Sequence, residues 1–348
     1  MHRSKIAGIG CYVPKNVYTN NDLSRFMDTN DEWIQERTGI KERRFADRLE
    51  ETTTTMGVEA AKIAIGRAGI TAGDVDFIIF ATLSPDYYFP GCGVLLQREM
   101  KMGEIGALDI RNQCSGFVYA LSVADQFIKT GMYKNILVVG SEKHSFAMDF
   151  ETRSRNVSVI FGDGAGAVVL QPAENDNQGI LSTHLHSDGA EAELLAMFYP
   201  GSHANKWLSA KPAFPDQELG GLFMTREQLE DGAALPYMDG PAVFKKAAVK
   251  FPEVIREALN ANQLSEQDID LLVPHQANLR ISQYVQQLLG LSDDKVFNNI
   301  QKYGNTTAAS VPIALCEAWE SGKIKEGDLV CLAAFGSGFT WASALIRW

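Results

Sequence analysis

Apolar residues along the chain fall into two periodicities that take turns. Runs rich in Val and Ile, at Phe77 to Phe80, Ile136 to Val139, Leu271 to Val273 and Leu329 to Ala333, show no polar alternation and predict strands in largely buried sheets. Between them, Thr53 to Ala68 and Gly116 to Thr130 space their apolar residues as helices do, the second ending on a C-cap at Gly131. Such alternation predicts an α/β fold. No low-complexity stretch or linker divides the chain.

The same pattern occurs twice. Asp74-Val75-Asp76-Phe77-Ile78-Ile79 returns as Asp268-Ile269-Asp270-Leu271-Leu272-Val273, an offset of 194. The register then holds without a gap, Ala120-Leu121 on Ala314-Leu315, Ala124 on Ala318, and Ile136 to Val139 on Val330 to Ala333. Further on, Phe161-Gly162-Asp163-Gly164 matches Phe335-Gly336-Ser337-Gly338 at an offset of 174, so the first half carries 20 extra residues between Ser141 and Phe161. Two halves are implied, 1–179 and 180–348, and the extra residues are a candidate binding loop. In this register Cys114 opens a helix where Ala308 opens its counterpart, so two related helix starts are expected to face one site across a pseudo-twofold axis.

Charge and cysteine usage narrow the function. The 348 residues carry 32 Lys and Arg against 43 Asp and Glu, net −11, which argues against nucleic acid as the main partner. Hydrophobic residues at 45% and charged residues at 22% are those of a folded globular chain. The cysteines, Cys11, Cys92, Cys114, Cys316 and Cys331, are odd in number with no C-x-x-C pair, so neither a disulfide framework nor a thiolate zinc site is suggested. A reducing cytoplasm fits. The opening MHRSKIAGIGCYVP is expected to be a first strand rather than a leader, and no apolar run is long enough for a membrane span.

Three residues stand where chemistry is plausible. Cys114 lies in Asp109-Ile110-Arg111-Asn112-Gln113-Cys114-Ser115-Gly116-Phe117, at a strand-to-helix junction. A thiol there is either a small buried core residue or a nucleophile whose thiolate the helix dipole favours. His275 follows the strand Ile269 to Val273 in Pro274-His275-Gln276-Ala277-Asn278, and is a capping or core histidine or a catalytic one. Asn305, in Tyr303-Gly304-Asn305-Thr306-Thr307, also fits an ordinary turn. Gly162-Asp163-Gly164-Ala165-Gly166 has neither dinucleotide nor Walker spacing, and suggests close backbone packing with Asp163 as a turn residue. No His or His/carboxylate cluster has metal-ligand spacing, His184 with His186 being a weak exception.

These segments together resemble β-ketoacyl-acyl carrier protein synthase III, of the thiolase superfamily. The match covers almost the whole chain: Asp28 to Ile34 with Arg37-Thr38-Gly39-Ile40, Cys114-Ser115-Gly116-Phe117, Phe161 to Gly166, His275 to Arg280, Tyr303 to Thr306, and Gly336-Ser337-Gly338-Phe339-Thr340-Trp341. The resemblance implies a five-layered αβαβα thiolase-like fold of two pseudo-twofold-related halves, a homodimer, and a catalytic triad of Cys114, His275 and Asn305. It implies an acyl-CoA primer condensed with malonyl-acyl carrier protein, with no cofactor beyond the coenzyme A thioester as substrate and no metal. Backbone N–H groups of Cys114 and Ser337 would form an oxyanion hole. Trp33 would stack on the adenine, Arg37 and Arg155 would hold the adenine and phosphate end, and Gly240, Phe244 and Ala277 would line the pantetheine tunnel. Phe89 is similar to the residue that a dimer partner contributes to the acyl pocket. Lys245, Lys246, Lys250, Arg256 and Arg280 would be a positive patch for an acidic carrier protein.

One departure concerns Met197 to Tyr237, about twenty residues longer than the resemblance leads one to expect, and either a lid over the tunnel or a surface decoration. A degradative thiolase is the nearest rival by resemblance, but it would need a second cysteine as acid/base where this chain has Gly336-Ser337-Gly338. A condensing enzyme of secondary metabolism or long-chain condensation shares the triad.

Overall fold

The computed structural model describes residues 3–175, 177–198, 200–201, 226–230 and 232–348. Its strands are β1 Ser4–Tyr12, β2 Asn16–Thr19, β3 Glu42–Phe45, β4 Phe77–Ala81, β5 Gly106–Ile110, β6 Ile136–Glu142, β7 Gly164–Pro172, β8 Gly179–Ser187, β9 Leu195–Ala196, β10 Tyr237–Met238, β11 Leu271–Pro274, β12 Leu329–Gly336 and β13 Thr340–Arg347. One sheet has the order β1-β7-β6-β4-β5 and another the order β8-β13-β12-β11. Laid over each other at the repeat offsets, these are the same sheet twice. In both, the first two pairings are antiparallel and the third, β6 with β4 or β12 with β11, is parallel. The halves differ at the end: β5 pairs with β4 along five residues, whereas β11 has only a single bridge from Leu272 to Val296.

Every residue of β6 and β12 is buried, because both faces of each sheet are covered. Helices Thr53–Arg67 and Cys92–Met100 cover one face of the first sheet, setting Met56, Ala60 and Leu96 against Phe80, Leu137 and Val169. Helices Gly116–Lys129 and Ser310–Glu320 lie between the sheets, where Phe117, Leu121, Val311 and Leu315 meet Val138 and Val168 on one side and Val273 and Leu332 on the other. Helices Gly240–Ala261 and Leu279–Leu289 close the far side through Phe251, Ile255 and Val285 against Leu272 and Leu345. The result is the five-layered αβαβα arrangement. Truncating Leu121 or Leu332 in the middle of it costs about 2–5 kcal/mol, the range for a large core side chain cut to Ala.

The two central helices start alike. A 3₁₀ turn, Gln113–Ser115 or Thr307–Ala309, precedes each, again 194 apart. Gln113 and Thr307 both take left-handed backbone, with φ of 44° and 49°, a conformation that costs a non-glycine residue energy and marks a functional or tightly packed turn. The extra residues of the first half form loops around a 3₁₀ turn at Thr152–Ser154 and a short helix Arg155–Ser158. Of the long segment Met197 to Tyr237, residues 202–225 lie outside the described residues. Its two ends meet as the β9–β10 ribbon, with the Asp239 N–H donating to the Leu194 carbonyl at 2.8 Å.

Candidate active site

A cleft of about 730 Å³ has Cys114, His275 and Asn305 in its wall, together with Trp33, Arg37, Gly240, Phe244, Ala277 and Arg280. Residues 161 and 191 positions apart thus meet in one cavity, the turn before the first central helix supplying Cys114 and loops of the second half the other two. A further cleft of about 390 Å³, lined by Asp47, Glu50, Glu51 and Glu59, holds no cysteine or histidine.

Cys114 is buried on the 3₁₀ turn against Gly336. A Cβ on Gly336 would stand 2.7 Å from the Cys114 Cβ and 3.2 Å from its Sγ, so only glycine leaves room for the thiol. The backbone N–H groups of Cys114 and Ser337 both bond at the sulfur and favour its anion. Burial nevertheless outweighs them, and with the charge of Glu142 pushes the thiol up to about 12. This corrects the expectation of a thiolate favoured by the helix dipole. A dipole contributes about 0.3–1 kcal/mol, less than the 1.36 kcal/mol of a single pKa unit, while desolvation here moves the group by more. The α-helix proper begins only at Gly116.

His275 sits at the end of β11, its backbone N–H on the Ala333 carbonyl at 2.8 Å. Burial pushes its ring down to about 3, so it is neutral at physiological pH. Its Nδ1 lies 2.5 Å from the Ser310 Oγ, and the Gln276 N–H donates to that same oxygen at 3.4 Å. The Ser310 hydroxyl can donate to Nδ1 or accept from it according to the tautomer of the ring, and with Nδ1 as acceptor the imidazole proton stands on Nε2. That Nε2 is buried and has no partner. A buried polar atom left open on a cavity wall is suited to a substrate oxygen.

Asn305 is held by its backbone, donating to the Ile160 carbonyl at 2.9 Å and accepting from the Gly162 N–H at 3.1 Å. Its Oδ1 accepts the Thr307 N–H at 2.8 Å, which turns the amide NH₂ outward as the free donor. Preceding it, Gly304 has φ 64° and stands where a Cβ would be 2.7 Å from the Ile160 carbonyl oxygen. Beneath the loop, Arg43 is fully buried and donates to the Val159 carbonyl at 2.8 Å, to Asn20 at 2.8 Å and to the Tyr18 carbonyl at 3.2 Å.

Behind Cys114, Glu142 at the end of β6 is fully buried. It accepts from Thr82 Oγ1 at 3.0 Å, the Leu83 N–H at 3.1 Å, Ser84 Oγ at 2.5 Å and the Ala308 N–H at 3.5 Å. Burial raises it to about 7 against those donors. Asp163 is likewise more than the turn residue expected from Gly-Asp-Gly: it is fully buried and accepts from the N–H groups of Ala46, His144 and Ser145.

The cleft mouth gathers most of the other candidates. Guanidinium groups of Arg37 and Arg155 lie 4.4 and 5.2 Å from the Trp33 ring centroid, an aromatic and cationic group suited to a nucleotide phosphate end. Arg155 also bonds the Asp28 carbonyl at 2.5 Å and lies beside the cleft, which its neighbour Asn156 lines. Ser337 similarly reaches the site only through its backbone, its hydroxyl bonding the Leu195 carbonyl of the β9 ribbon. Phe89 is 81% exposed and takes no part in this chain's cleft.

The cationic patch is partly spent within the chain. Lys246 pairs with Glu191 at 2.6 Å, Lys250 with Glu253 at 2.8 Å, and Arg256 with Glu266 at 2.8 Å and the Leu288 carbonyl at 2.9 Å. Lys245 is exposed and Arg280 faces the cleft. His184 and His186 both approach Glu257, at 3.3 and 2.6 Å, and so are paired with a carboxylate. Glu142, Ser310, Arg43 and Gly336 were not singled out from the sequence, and only the repeat register of Gly336 hinted at one of them.

The family model described as 3-oxoacyl-[acyl-carrier-protein (ACP)] synthase III matches residues 108–189, and its C-terminal companion matches 259–348. The chain is 44% identical over 345 residues to the beta-ketoacyl-[acyl-carrier-protein] synthase III of Aquifex aeolicus (strain VF5), covering 99% of each. It is also 44% identical over 344 residues to the protein of the same name from Yersinia pestis, again covering 99% of each. The crystal structure of the Aquifex aeolicus VF5 synthase superposes with a TM-score of 0.86 over 99% of this chain and 100% of that one. With the triad residues in one cleft and a full-length likeness of this kind, the chain belongs to the β-ketoacyl-acyl carrier protein synthase III family of condensing acyltransferases.

Proposed function

We propose that the chain performs the initiating condensation of fatty acid synthesis, joining an acyl-CoA primer to malonyl-acyl carrier protein with loss of CO₂. The observation that carries this reading is the meeting of Cys114, an unpartnered His275 Nε2 and the outward amide of Asn305 in one buried cleft.

The Cys114 sulfur attacks the acyl-CoA thioester carbonyl, CoA leaves as its thiol, and the acyl group is held as a second thioester. Because the resting pair is a neutral thiol and a neutral imidazole, the thiol proton must be given up during the attack. The Ser310 hydroxyl, able to donate to or accept from Nδ1, lets His275 switch tautomer and take that proton on Nε2. Backbone N–H groups of Cys114 and Ser337 bear the oxyanion. Trp33, Arg37 and Arg155 hold the adenine and phosphate end of the CoA in this first step, and malonyl-carrier protein then enters past Phe244, Gly240 and Ala277. Loss of CO₂ leaves an enolate on the malonyl thioester oxygen, stabilised by His275 Nε2–H and Asn305 Nδ2–H as two uncharged donors. Its carbon attacks the acyl-enzyme and frees Cys114.

Homodimer formation is part of this reading, supported by exposed Tyr87, Tyr88, Phe89, Val94 and Leu108 beside the unpaired edge of β5. The five free cysteines support a reducing cytoplasm, and no helix among the described residues is long and apolar enough to cross a membrane. Lys245 and Arg280 support docking of an acidic carrier at the cleft mouth. Mass spectrometry after incubation with acyl-CoAs of graded length is expected to place one acyl group on Cys114, discharged on adding malonyl-carrier protein. Acylation at Cys11, Cys92, Cys316 or Cys331 instead overturns the assignment.

A further inference from the structure

The extra residues of the first half, between Ser141 and Phe161, have no counterpart in the second half, and the reaction above employs only Arg155 of them. His144 lies among them, just beyond β6, and is buried. Burial pushes its ring down to about 3, so the imidazole is neutral, with one donor and one acceptor. Asp163 fixes its backbone. Oδ1 accepts the His144 N–H at 2.6 Å and the Ser145 N–H at 2.9 Å, while Oδ2 accepts the Ala46 N–H at 2.8 Å and the Ser145 hydroxyl at 2.5 Å.

From that anchorage the ring reaches Asn305 by two routes. Its Nε2 is 2.7 Å from Thr307 Oγ1, and the Thr307 N–H is the donor that holds Asn305 Oδ1 at 2.8 Å. Its centroid lies 4.7 Å from that of the Phe161 ring, and the Phe161 backbone forms a parallel bridge with Asn305. Thr307 itself has φ 49°, a left-handed conformation that a β-branched residue keeps only where its surroundings over-determine it. Here the hydroxyl is held by His144 and the N–H by Asn305, so the histidine bond supports the turn that aims the amide.

We propose that His144 is a positioning residue for decarboxylation: through Thr307 it fixes the Asn305 carboxamide, so that Nδ2–H is aimed at the place of the malonyl enolate oxygen before the substrate arrives. The proposal rests on the reading of Asn305 as an enolate donor. His144 is not among the side chains of the cleft wall and acts through Asn305. A donor of this kind works by being preorganised, and a misplacement of about 1 Å is enough to cost up to roughly 10²-fold. Acylation of Cys114 draws on His275 and on backbone N–H groups, and so does not use this route.

The test compares two half-reactions of the full-length protein, CO₂ release from malonyl-carrier protein without primer and acylation of Cys114 by acyl-CoA. His144→Leu removes Nε2 and keeps an apolar body against Phe161. It is expected to lower kcat for CO₂ release about 10-fold, less than outright loss of the donor, with KM for malonyl-carrier protein and the acylation rate changed by less than about 2-fold. His144→Gln, whose amide can bond the same hydroxyl, is expected to recover most of the loss. In an Asn305→Ala background His144→Leu should slow CO₂ release no further, because the two changes act through one group. Should His144→Leu fail to fold, Thr307→Val removes the bond from its other end and is expected to show the same split, with Thr307→Ser close to wild type. Unchanged CO₂ release in His144→Leu or Thr307→Val, equal slowing of both half-reactions, no recovery in His144→Gln, or further slowing in the Asn305→Ala background each overturns the role of His144. A wild-type protein that releases no CO₂ overturns the reading of Asn305, and this proposal with it.

Discussion

The turn Gln113–Ser115 ahead of the first central helix and the turn Thr307–Ala309 ahead of the second share length and a left-handed first residue, yet they do different work. In the first, the middle residue is Cys114, which faces the cleft with two backbone N–H groups at its sulfur. In the second it is Ala308, whose N–H turns back to Glu142 at 3.5 Å, while the Thr307 N–H holds the Asn305 amide at 2.8 Å and Thr307 Oγ1 holds His144 at 2.7 Å. One copy presents a nucleophile. The other has become the bracket that aims a donor at it. A duplicated half thus supplies two equivalent places for a reactive group, and asymmetry in the partners of each turn decides which is used.

The largest effect on this comparison comes from emptying the first turn. Cys114→Ala is expected to remove condensation entirely while the protein remains folded, since Ala occupies the equivalent place at 308 without strain. Product formation and thermal unfolding, measured together, check this; loss of folding would mean that the thiol holds the turn rather than serving it. Next in size, His275→Ala and Asn305→Ala are each expected to slow malonyl decarboxylation by roughly 10²-fold or more, the scale of one oxyanion-hole donor. Asn305→Ala should still acylate Cys114, whereas His275→Ala should also slow acylation, because it removes the proton acceptor. An Asn305→Ala protein that decarboxylates normally and fails to acylate would reverse these roles.

How far the site was legible beforehand follows from what sequence order carries. Cys114, His275 and Asn305 each close a local pattern of strand, turn and helix, and the offset of 194 by itself relates two of those turns. Apolar runs in register at a fixed offset carried the two halves and their buried sheets, whereas the five layers came from the family resemblance. Burial and pairing are different, because they are set by residues far apart in the chain. Ser310 reaches His275 across 35 positions and Glu142 reaches Ala308 across 166, with no local motif to announce either. The thiolate expected from the helix dipole failed on burial, a tertiary quantity. The positive patch read from Lys246, Lys250 and Arg256 was diminished by Glu191, Glu253 and Glu266 for the same reason.

A smaller effect tests the electrostatic side of the comparison. Glu142 lies between the two turns, contacting the second and opposing ionisation of the thiol on the first. Its carboxyl is raised to about 7 by burial, so it gains charge as pH rises through neutrality and then holds the Cys114 thiol up. Glu142→Gln removes that charge. Alkylation of Cys114 by a neutral reagent should therefore be faster than wild type in alkaline buffer, with the two rates converging at acid pH, where the native carboxyl is protonated. The sign of the stability change is also fixed. A carboxyl whose folded pKa lies above its unfolded value stabilises the fold at low pH, and that contribution is lost as pH rises from about 4.5 to about 7. The stability deficit of Glu142→Gln relative to wild type should shrink over that window, although the variant also loses an acceptor for Ser84, at a cost of about 1–3 kcal/mol. Equal alkylation rates at every pH would show that Glu142 is only a scaffold.

The smallest expected effect is the most direct test of the asymmetry. In a Cys114→Ala background, Ala308→Cys moves the thiol to the equivalent place on the second turn, with the same backbone shape. If a left-handed residue and a helix start were sufficient, the relocated thiol would be acylated. It is expected not to be, since Ala308 is fully buried, is absent from the cleft wall, and has its N–H directed at Glu142 rather than at a sulfur. Ala308 is fully buried, so an added sulfur there is expected to cost about 1–3 kcal/mol through overpacking. Mass spectrometry after incubation with acyl-CoA should find no acyl group at position 308 in folded double variant. Acylation there at even a few per cent of the wild-type rate would move the origin of reactivity from the partners of Cys114 to the turn itself, and the two turns would then differ only in which residue each happens to carry.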